Sequence, residues 1–173
     1  AGATVAATTQ AGVAADARVS LTGGRLTATA VSRHSTKVSG GRLAIAITDA
    51  RTTALLDARS ELTGAGGLRL TADSSDTTQA TSTGGAALVS SVAITKAGLA
   101  AGGELALPGD LTLAATGDAE AIARGAGTAL VLFDHRVLVE LARSVTAGGT
   151  LAATATGRST VTTEAAAGRW VQL

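Results

Sequence analysis

Cysteine, asparagine, methionine and tyrosine are absent from this 173-residue chain, which has one Trp, one Phe and one Pro. The lack of cysteine excludes disulfides, thiolate metal sites and a cysteine nucleophile. Two aromatic rings leave no platform on which nucleic-acid bases could stack. A formal net charge of +1 gives no reason to expect nucleic acid or an anionic membrane as a partner. No apolar run approaches membrane-spanning length, so we expect no membrane insertion of this segment.

The missing methionine predicts that the chain is a processed product or an excised piece of a longer protein. No secretory signal peptide is visible, so any targeting segment is expected outside this piece. The absence of Asn and Tyr, together with an Arg content far above that of Lys, is typical of a GC-rich gene and favours a bacterial source.

The residues that remain are mostly Ala, Thr, Gly, Leu and Val. Nearly half of the chain is hydrophobic, but most of its hydrophobic side chains are small, whereas globular cores are usually built with large ones. Thin layers of small side chains suit a narrow solenoid, in which each repeat packs only on its neighbours.

One phrase recurs along the chain. It reads ARVSLTGGRLTATA at 17–30, ARSELTGAGGLRLTA at 58–72 and ARSVTAGGTLAATA at 142–155. A degenerate copy without the Arg, LAAGGELALPGDLTLAATG, lies between them at 99–117. The copies are about 42 residues apart, which predicts four units of one repeat architecture.

Each unit begins with a short apolar segment, such as Leu43–Thr48 or Ala129–Phe133, followed by a charged tripeptide. We predict polar turns at these tripeptides, Asp49–Arg51 and Asp134–Arg136. A second segment leads to the recurring phrase, where a glycine-rich turn precedes a third segment.

The segments alternate between apolar and small polar residues with a period of two. Leu26, Ala28 and Ala30 share one face, for example, and so do Leu43, Ile45 and Ile47. Alternation bounded by Gly and Asp predicts half-buried strands. The stretches 117–124 and 130–143 also fit a helical pattern, but we predict strands there, because 130–143 aligns with the segments at 43–59.

The regular unit and the lack of any Asn-Gly turn favour stacked coils over hairpins. We therefore predict an all-β parallel β-solenoid of about four 42-residue units. Each unit could form one large coil or, as we favour, two coils of about 20 residues. Leu would stack on Leu inside the solenoid, and Thr on Thr outside.

The units resemble the repeats of very large bacterial surface proteins, the filamentous-haemagglutinin-like and autotransporter-like adhesins. The stretches at 60–75 and 142–157 carry the resemblance. It implies a right-handed β-solenoid, export and a place on or near the cell surface, and it transfers no catalytic or binding residue. Such shafts often use Asn ladders, which this chain lacks, so Thr and Ser are expected to take that role.

A single repeat domain is expected over 1–167. Its units are placed at about 1–38, 39–82, 83–125 and 126–167. The last six residues, GRWVQL at 168–173, do not fit the repeat and are predicted to lie outside it.

Neither histidine is predicted to act in catalysis. His34 lies in SRHSTK, a stretch interpreted as a polar turn, and is expected to be exposed. His135 follows Asp134, but neighbours in a strand or turn usually point apart, and the aligned unit has Ala50 in its place. No Gly-x-Ser-x-Gly elbow is present to hold a serine nucleophile.

Paired carboxylates can act as the acid and the base in catalysis, or they can bind calcium. The pairs are Asp57 with Glu61, Asp73 with Asp76, and Asp118 with Glu120, the last expected on one strand face. The bland interpretation, a solvated and charge-balanced surface, is preferred. Neither a calcium-binding glycine–aspartate repeat nor a dinucleotide loop is present, since the glycines at 64–67 precede a strand. No metal, cofactor or catalytic residue is therefore predicted.

Two sets of recurring side chains, the Thr pairs and the Arg residues, could form a binding surface. The pairs Thr27/Thr29 and Thr154/Thr156 suggest an ice-binding array, although the middle units break it. The Arg residues of the recurring phrase, at positions 18, 59 and 143, could form a ladder. The preferred alternative is that they pair with carboxylates two or three residues earlier, at positions 16, 57 and 140.

The sequence thus predicts a structural shaft segment of an exported bacterial surface protein, with no catalysis. Its partners would be flanking repeats or a second copy stacked end to end, and surface glycans. Two alternatives are kept: a module binding glycans or ice, and more distantly a polysaccharide-cleaving enzyme. A flat Thr array would favour ice binding, a groove of clustered carboxylates and Arg the enzyme, and uniform faces the shaft.

Overall fold

The described part of the chain consists of parallel β-strands joined by turns. The computed structural model describes residues 1–166 and 170–172, and this part has no helix capable of crossing a membrane. Its strands are β1 (Gly2–Val13), β2 (Arg18–Ser20), β3 (Arg25–Gly40), β4 (Leu43–Leu56), β5 (Glu61–Thr63), β6 (Gly67–Ser82), β7 (Ala86–Leu99), β8 (Leu105–Leu107), β9 (Leu111–Gly125), β10 (Thr128–Leu141), β11 (Val145–Ala147), β12 (Leu151–Ala165) and β13 (Trp170–Gln172).

The strands form two long sheets that face each other. The first sheet has the order β1-β4-β7-β10-β13, and the second has the order β12-β9-β6-β3. The short pairs β2-β5 and β8-β11 form a narrow third side. Every pairing is parallel, which confirms the predicted β-solenoid.

Each 42-residue unit makes one coil. Leu56 pairs with Leu99, and Leu68 pairs with Leu111, so neighbouring coils are one whole unit apart. The expected division into two coils of about 20 residues is wrong, because strands of 14 to 16 residues on the two sides use up the unit. Four coils at about 4.8 Å per step span roughly 19 Å along the axis.

The predicted polar turns are wrong as well. Asp49–Arg51 lies in the middle of β4, and Asp134–Arg136 lies in the middle of β10. The alternation of faces runs through both tripeptides, with Asp and Arg side by side on the outer face, so no turn is needed to keep them in water. The strands predicted over 117–124 and 130–143 are confirmed in β9 and β10.

The predicted C-terminal tail, 168–173, lies partly outside the described residues, at 168, 169 and 173. Between them, β13 runs parallel to Ala129–Val131 at the edge of the first sheet.

The interior contains two apolar clusters at opposite ends of the long strands. One is rich in leucine, as predicted, and includes Leu68, Leu70, Leu111 and Leu113. The other consists of Ala and Val side chains. Leucine columns run along the axis because equivalent residues pair in register.

The alternation in β4 has the opposite sense to the one expected. Ala44 and Ala46 are fully buried, while Leu43 and Ile47 face outward and are 43% and 38% exposed. The larger side chains share a face as predicted, but that face is the outer one. The interior at this end is filled by Ala and Val side chains of both sheets, and the small residues of β4 complete this packing.

A layer of buried hydroxyl groups separates the two apolar clusters. Thr48 donates to Thr36 at 3.0 Å, and Ser74 bonds to Thr95 at 2.6 Å. Ser32 with Thr52 and Thr78 with Ser91 form further pairs. The expectation that Thr lies only outside is therefore wrong. A buried hydroxyl is tolerated when it is hydrogen-bonded, and each of these finds its partner on the opposite sheet in the neighbouring coil.

Candidate functional site

His34 turns into the interior, against the prediction that it is exposed. Its side chain is 20% exposed, and Nδ1 lies 2.9 Å from Oδ1 of Asp76, whose side chain is 1% exposed. His34 and Asp76 are register partners on β3 and β6, so the pair runs along the axis from one coil to the next. A buried carboxylate requires such a partner, which makes this pair part of the coil stacking.

His135 and Asp134 point to opposite faces of β10, as expected for adjacent strand residues. Asp134 faces outward and binds Arg136 at 2.8 Å, whereas Nδ1 of His135 lies inside, 2.7 Å from Oγ of Ser159. Burial lowers the pKa of His135 and outweighs the attraction of nearby carboxylates, which favours a neutral ring. The two neighbours therefore form no catalytic pair with each other.

Two of the three candidate carboxylate pairs are not brought together in a catalytic arrangement. Asp73 faces outward, 4.0 Å from Arg33, while Asp76 faces inward. Asp57 accepts a hydrogen bond from the backbone of Ala58 in a turn, and Glu61 faces Arg18. The fold uses these groups in turns and in contacts between coils.

Asp118 and Glu120 share the outer face of β9, as predicted. They lie in a shallow depression of the second sheet with Ser75, Thr77, Arg158 and Thr160. Asp118, Glu120 and Arg158 form none of the ion pairs found in the described part of the chain. Arg158 lies in register beside Asp118 without forming an ion pair in the described structure, so these three charged groups are available to a ligand.

Catalysis by these carboxylates has little support in their surroundings. A carboxyl group that serves as a general acid is usually held in an apolar site. Ala119 is the one apolar residue among those that line the depression, and Asp118 is exposed. The arrangement suits binding of a hydroxyl-rich ligand better than cleavage.

The Thr pairs face outward on the second sheet but do not form one array. Thr29 is in register with Thr71 on the next coil, yet the column continues with Ala114 before it reaches Thr154. Arg69 interrupts the column that begins at Thr27. The Thr columns are interrupted in the middle units, as the sequence predicted. The surface therefore lacks the flat Thr array that would favour ice binding.

The predicted Arg ladder does not form, and the predicted local ion pairs are wrong. Arg18 binds Glu61 at 3.0 Å, and Arg59 binds Asp16 on the preceding coil. Arg18 and Arg59 thus pair between coils, because the parallel register brings residues about 42 apart closer than residues two apart across a turn.

Arg143 behaves differently from the other two arginines of the phrase. It is 8% exposed, and its guanidinium donates to three backbone carbonyls: Ala100 at 2.8 Å, Ser60 at 3.0 Å and Asp57 at 2.8 Å. These acceptors belong to the two preceding coils. Burial lowers the pKa of this guanidinium. Arg143 bridges β5 and β8 on the narrow side, where the described strands are not hydrogen-bonded to each other.

Two differences between coils explain why this Arg turns inward. Residues 142–144 form the turn before β11, whereas the turn before β8 takes residues 100–104. The shorter turn crosses above the longer one. Gly102 lies directly below, where a Cβ atom would sit 2.7 Å from Cζ of Arg143. The degenerate unit, which lacks the Arg, therefore provides the space that Arg143 fills. The Gly-Gly at 102–103 was the sequence signal for this.

No family model, no curated protein and no solved structure matches the chain. His, Asp and Glu side chains nowhere gather in groups of three that could hold a metal ion within the described residues.

Proposed function

We propose that the chain is a shaft segment of a large exported bacterial cell-surface protein of the adhesin type, which extends and spaces other parts of that protein. The observation that carries this proposal is the coil-on-coil register, in which like residues stack on like residues. Stability in such a fold grows with each neighbour added. The resemblance of the repeats to filamentous-haemagglutinin-like proteins supports the cellular role.

The last complete coil favours continued stacking. Leu141 and Leu151 are 48% and 51% exposed, whereas their register partners Leu99 and Leu111 are fully buried. A further coil on this end would cover both leucines, and burial of a Leu side chain contributes about 1.5–3 kcal/mol. We propose flanking coils, or a second copy stacked end to end, as the cover.

The first test is the mass of the native polypeptide. Antibodies against the chain would be used on immunoblots of surface and secreted fractions from the source cells, with a cytoplasmic marker as the fractionation control. We expect a band far above 16.7 kDa that disappears when intact cells are treated with protease. A native band near 16.7 kDa, or one found only with the cytoplasmic marker, would overturn the proposal.

A second candidate function, glycan binding, is favoured by the depression on the second sheet. Carboxylates accept hydrogen bonds from sugar hydroxyls, and a guanidinium donates to ring and hydroxyl oxygens. Asp118, Glu120 and Arg158 offer both kinds of group next to a row of Ser and Thr hydroxyls.

Binding would be measured on a panel of surface polysaccharides. We expect the double variant Asp118→Asn/Glu120→Gln to reduce binding at least about tenfold, because each lost charged hydrogen bond contributes about 1.5–3 kcal/mol. Asp73→Asn, on the same face but paired with Arg33, is the matched control and is expected to bind normally. Equal binding by all three proteins would exclude this site.

A further inference from the structure

The outer face of the first sheet carries an apolar surface that nothing in the described chain covers. We call it the apolar face; its main residues are Leu43, Ile45, Ile47, Leu88, Leu130 and Leu132. Leu132 is 46% exposed, and four of the seven large hydrophobic residues with the highest exposure lie on this side of the sheet. A contiguous apolar surface of this kind marks an interaction site more often than scattered exposed residues do.

Among the described residues of β1, β4, β7 and β10, every charged side chain on the outer side of the first sheet is paired with another charge on the same side. Asp49 binds Arg51, and Asp134 binds Arg136. Lys96 and Glu140 form the third pair. The face is therefore neutral and needs no charged partner. The outer side of the second sheet differs, since Arg158, Asp118 and Glu120 remain without an ion pair there among the described residues.

The outer side of the whole first sheet, which holds the apolar face at one end and the three ion pairs beyond it, is close in area to what a stable dimer requires. Strands of 14 residues at about 3.3 Å per residue are roughly 46 Å long, and four strands at about 4.8 Å span roughly 19 Å. The product is about 900 Å², compared with about 800 Å² per partner in a typical stable interface.

Large and small side chains alternate across this surface, which leaves projections and a hollow. Ser90 lies in register between Ile47 on β4 and Leu132 on β10, so a small residue separates two large ones. A hollow results, and Ser90, Val92, Leu132 and Asp134 are among the residues that line it. In a two-fold interface the same patch serves both subunits, so projecting Leu and Ile side chains of one copy would face this hollow in the other.

We infer that the apolar face binds the apolar face of a second copy of this chain, with the two sheets packed face to face at about 10 Å. The neutral and self-complementary surface favours a second copy over a charged partner. The inference is independent of the shaft proposal: a shaft could pair sideways in this way, and so could a chain with a native mass of 16.7 kDa.

Sedimentation equilibrium of the 173-residue chain at micromolar concentrations tests the inference. We expect a mass twice 16.7 kDa for the unmodified protein. In Ile47→Lys/Leu132→Lys, like charges would meet across the interface, and we expect the dimer dissociation constant to rise by about 100-fold or more. Thr29→Lys/Thr154→Lys adds the same charge to the opposite face and is expected to stay dimeric.

A third variant distinguishes face-to-face dimers from end-to-end stacking. Leu151→Lys alters the exposed end of the last coil, and we expect it to leave the face-to-face dimer intact. Circular dichroism would check that each variant keeps its β-structure. The inference is overturned if the unmodified chain is monomeric, if Ile47→Lys/Leu132→Lys remains dimeric, or if association is lost in Leu151→Lys alone.

Discussion

Replacement of Arg143 by Met is expected to lower the free energy of unfolding by about 4 kcal/mol. Methionine has a similar length but no donor, so the carbonyls of Ser60 and Ala100 would lose their hydrogen bonds in a buried place, while the carbonyl of Asp57 keeps those donated by Ser60. Each unsatisfied buried acceptor costs about 1–3 kcal/mol. Urea unfolding followed by far-UV circular dichroism measures the change.

Arg59→Met is the matched control, since it alters the same phrase two repeats earlier. The side chain of Arg59 is 74% exposed and binds Asp16 in water, so we expect an unchanged unfolding midpoint. Arg143→Lys keeps the charge but cannot reach three carbonyls with one planar group, and we expect it to fall between Met and the unmodified chain. An unchanged midpoint in Arg143→Met would mean that the carbonyls of Ser60 and Ala100 find other donors.

Replacement of Gly64 by Ala is expected to cost about 3 kcal/mol or more. Gly64 has φ +70°, and an added Cβ would collide with the carbonyl oxygen of Leu21 on the preceding coil. The coils cannot separate locally, because Leu21 donates its N–H to Thr63 at 2.9 Å beside the collision. Thermal unfolding of the purified variant would record the loss as a lower midpoint.

The variant Gly24→Ala distinguishes the steric collision of the added Cβ from the strain of the left-handed backbone. Gly24 occupies the comparable turn of the first coil with φ +82°, and nothing lies within 4 Å of an added Cβ. We expect a loss of about 1 kcal/mol, from the left-handed conformation alone. If Gly64→Ala and Gly24→Ala lose the same amount, the coils relax around the new methyl group and the contact with Leu21 is unimportant.

The period and strand class could be predicted because they depend on neighbouring coils being alike. A parallel stack buries Leu68 against Leu111 only if both recur at the same place in the unit, so the chain repeats its own phrase. The placement of Asp118 and Glu120 on one face followed from strand periodicity in the same way. No such repetition marks the depression on the second sheet, where Ser75, Asp118 and Arg158 come from three different units.

The predictions were wrong where one local sequence pattern is compatible with two different structures. An Asp–x–Arg tripeptide resembles a turn, yet at Asp49 and Arg51 it serves as an ion pair on the outside of a strand. A Thr in an alternating strand is equally suited to either face. The presence of Thr36 opposite Thr48 decides for the inside, and this partner is contributed by another coil.

By itself, the sequence determined the β class, the parallel stack of four units and the leucine columns, since all of these follow from the periods of two and 42 residues. Only the tertiary structure decided which way each face points, the number of coils in a unit and the different positions of the three arginines. The physical reason is that these features depend on the space between coils. The guanidinium of Arg143 is buried because a shorter turn crosses a longer one above Gly102, and a phrase of the same local sequence at Arg59 remains in water.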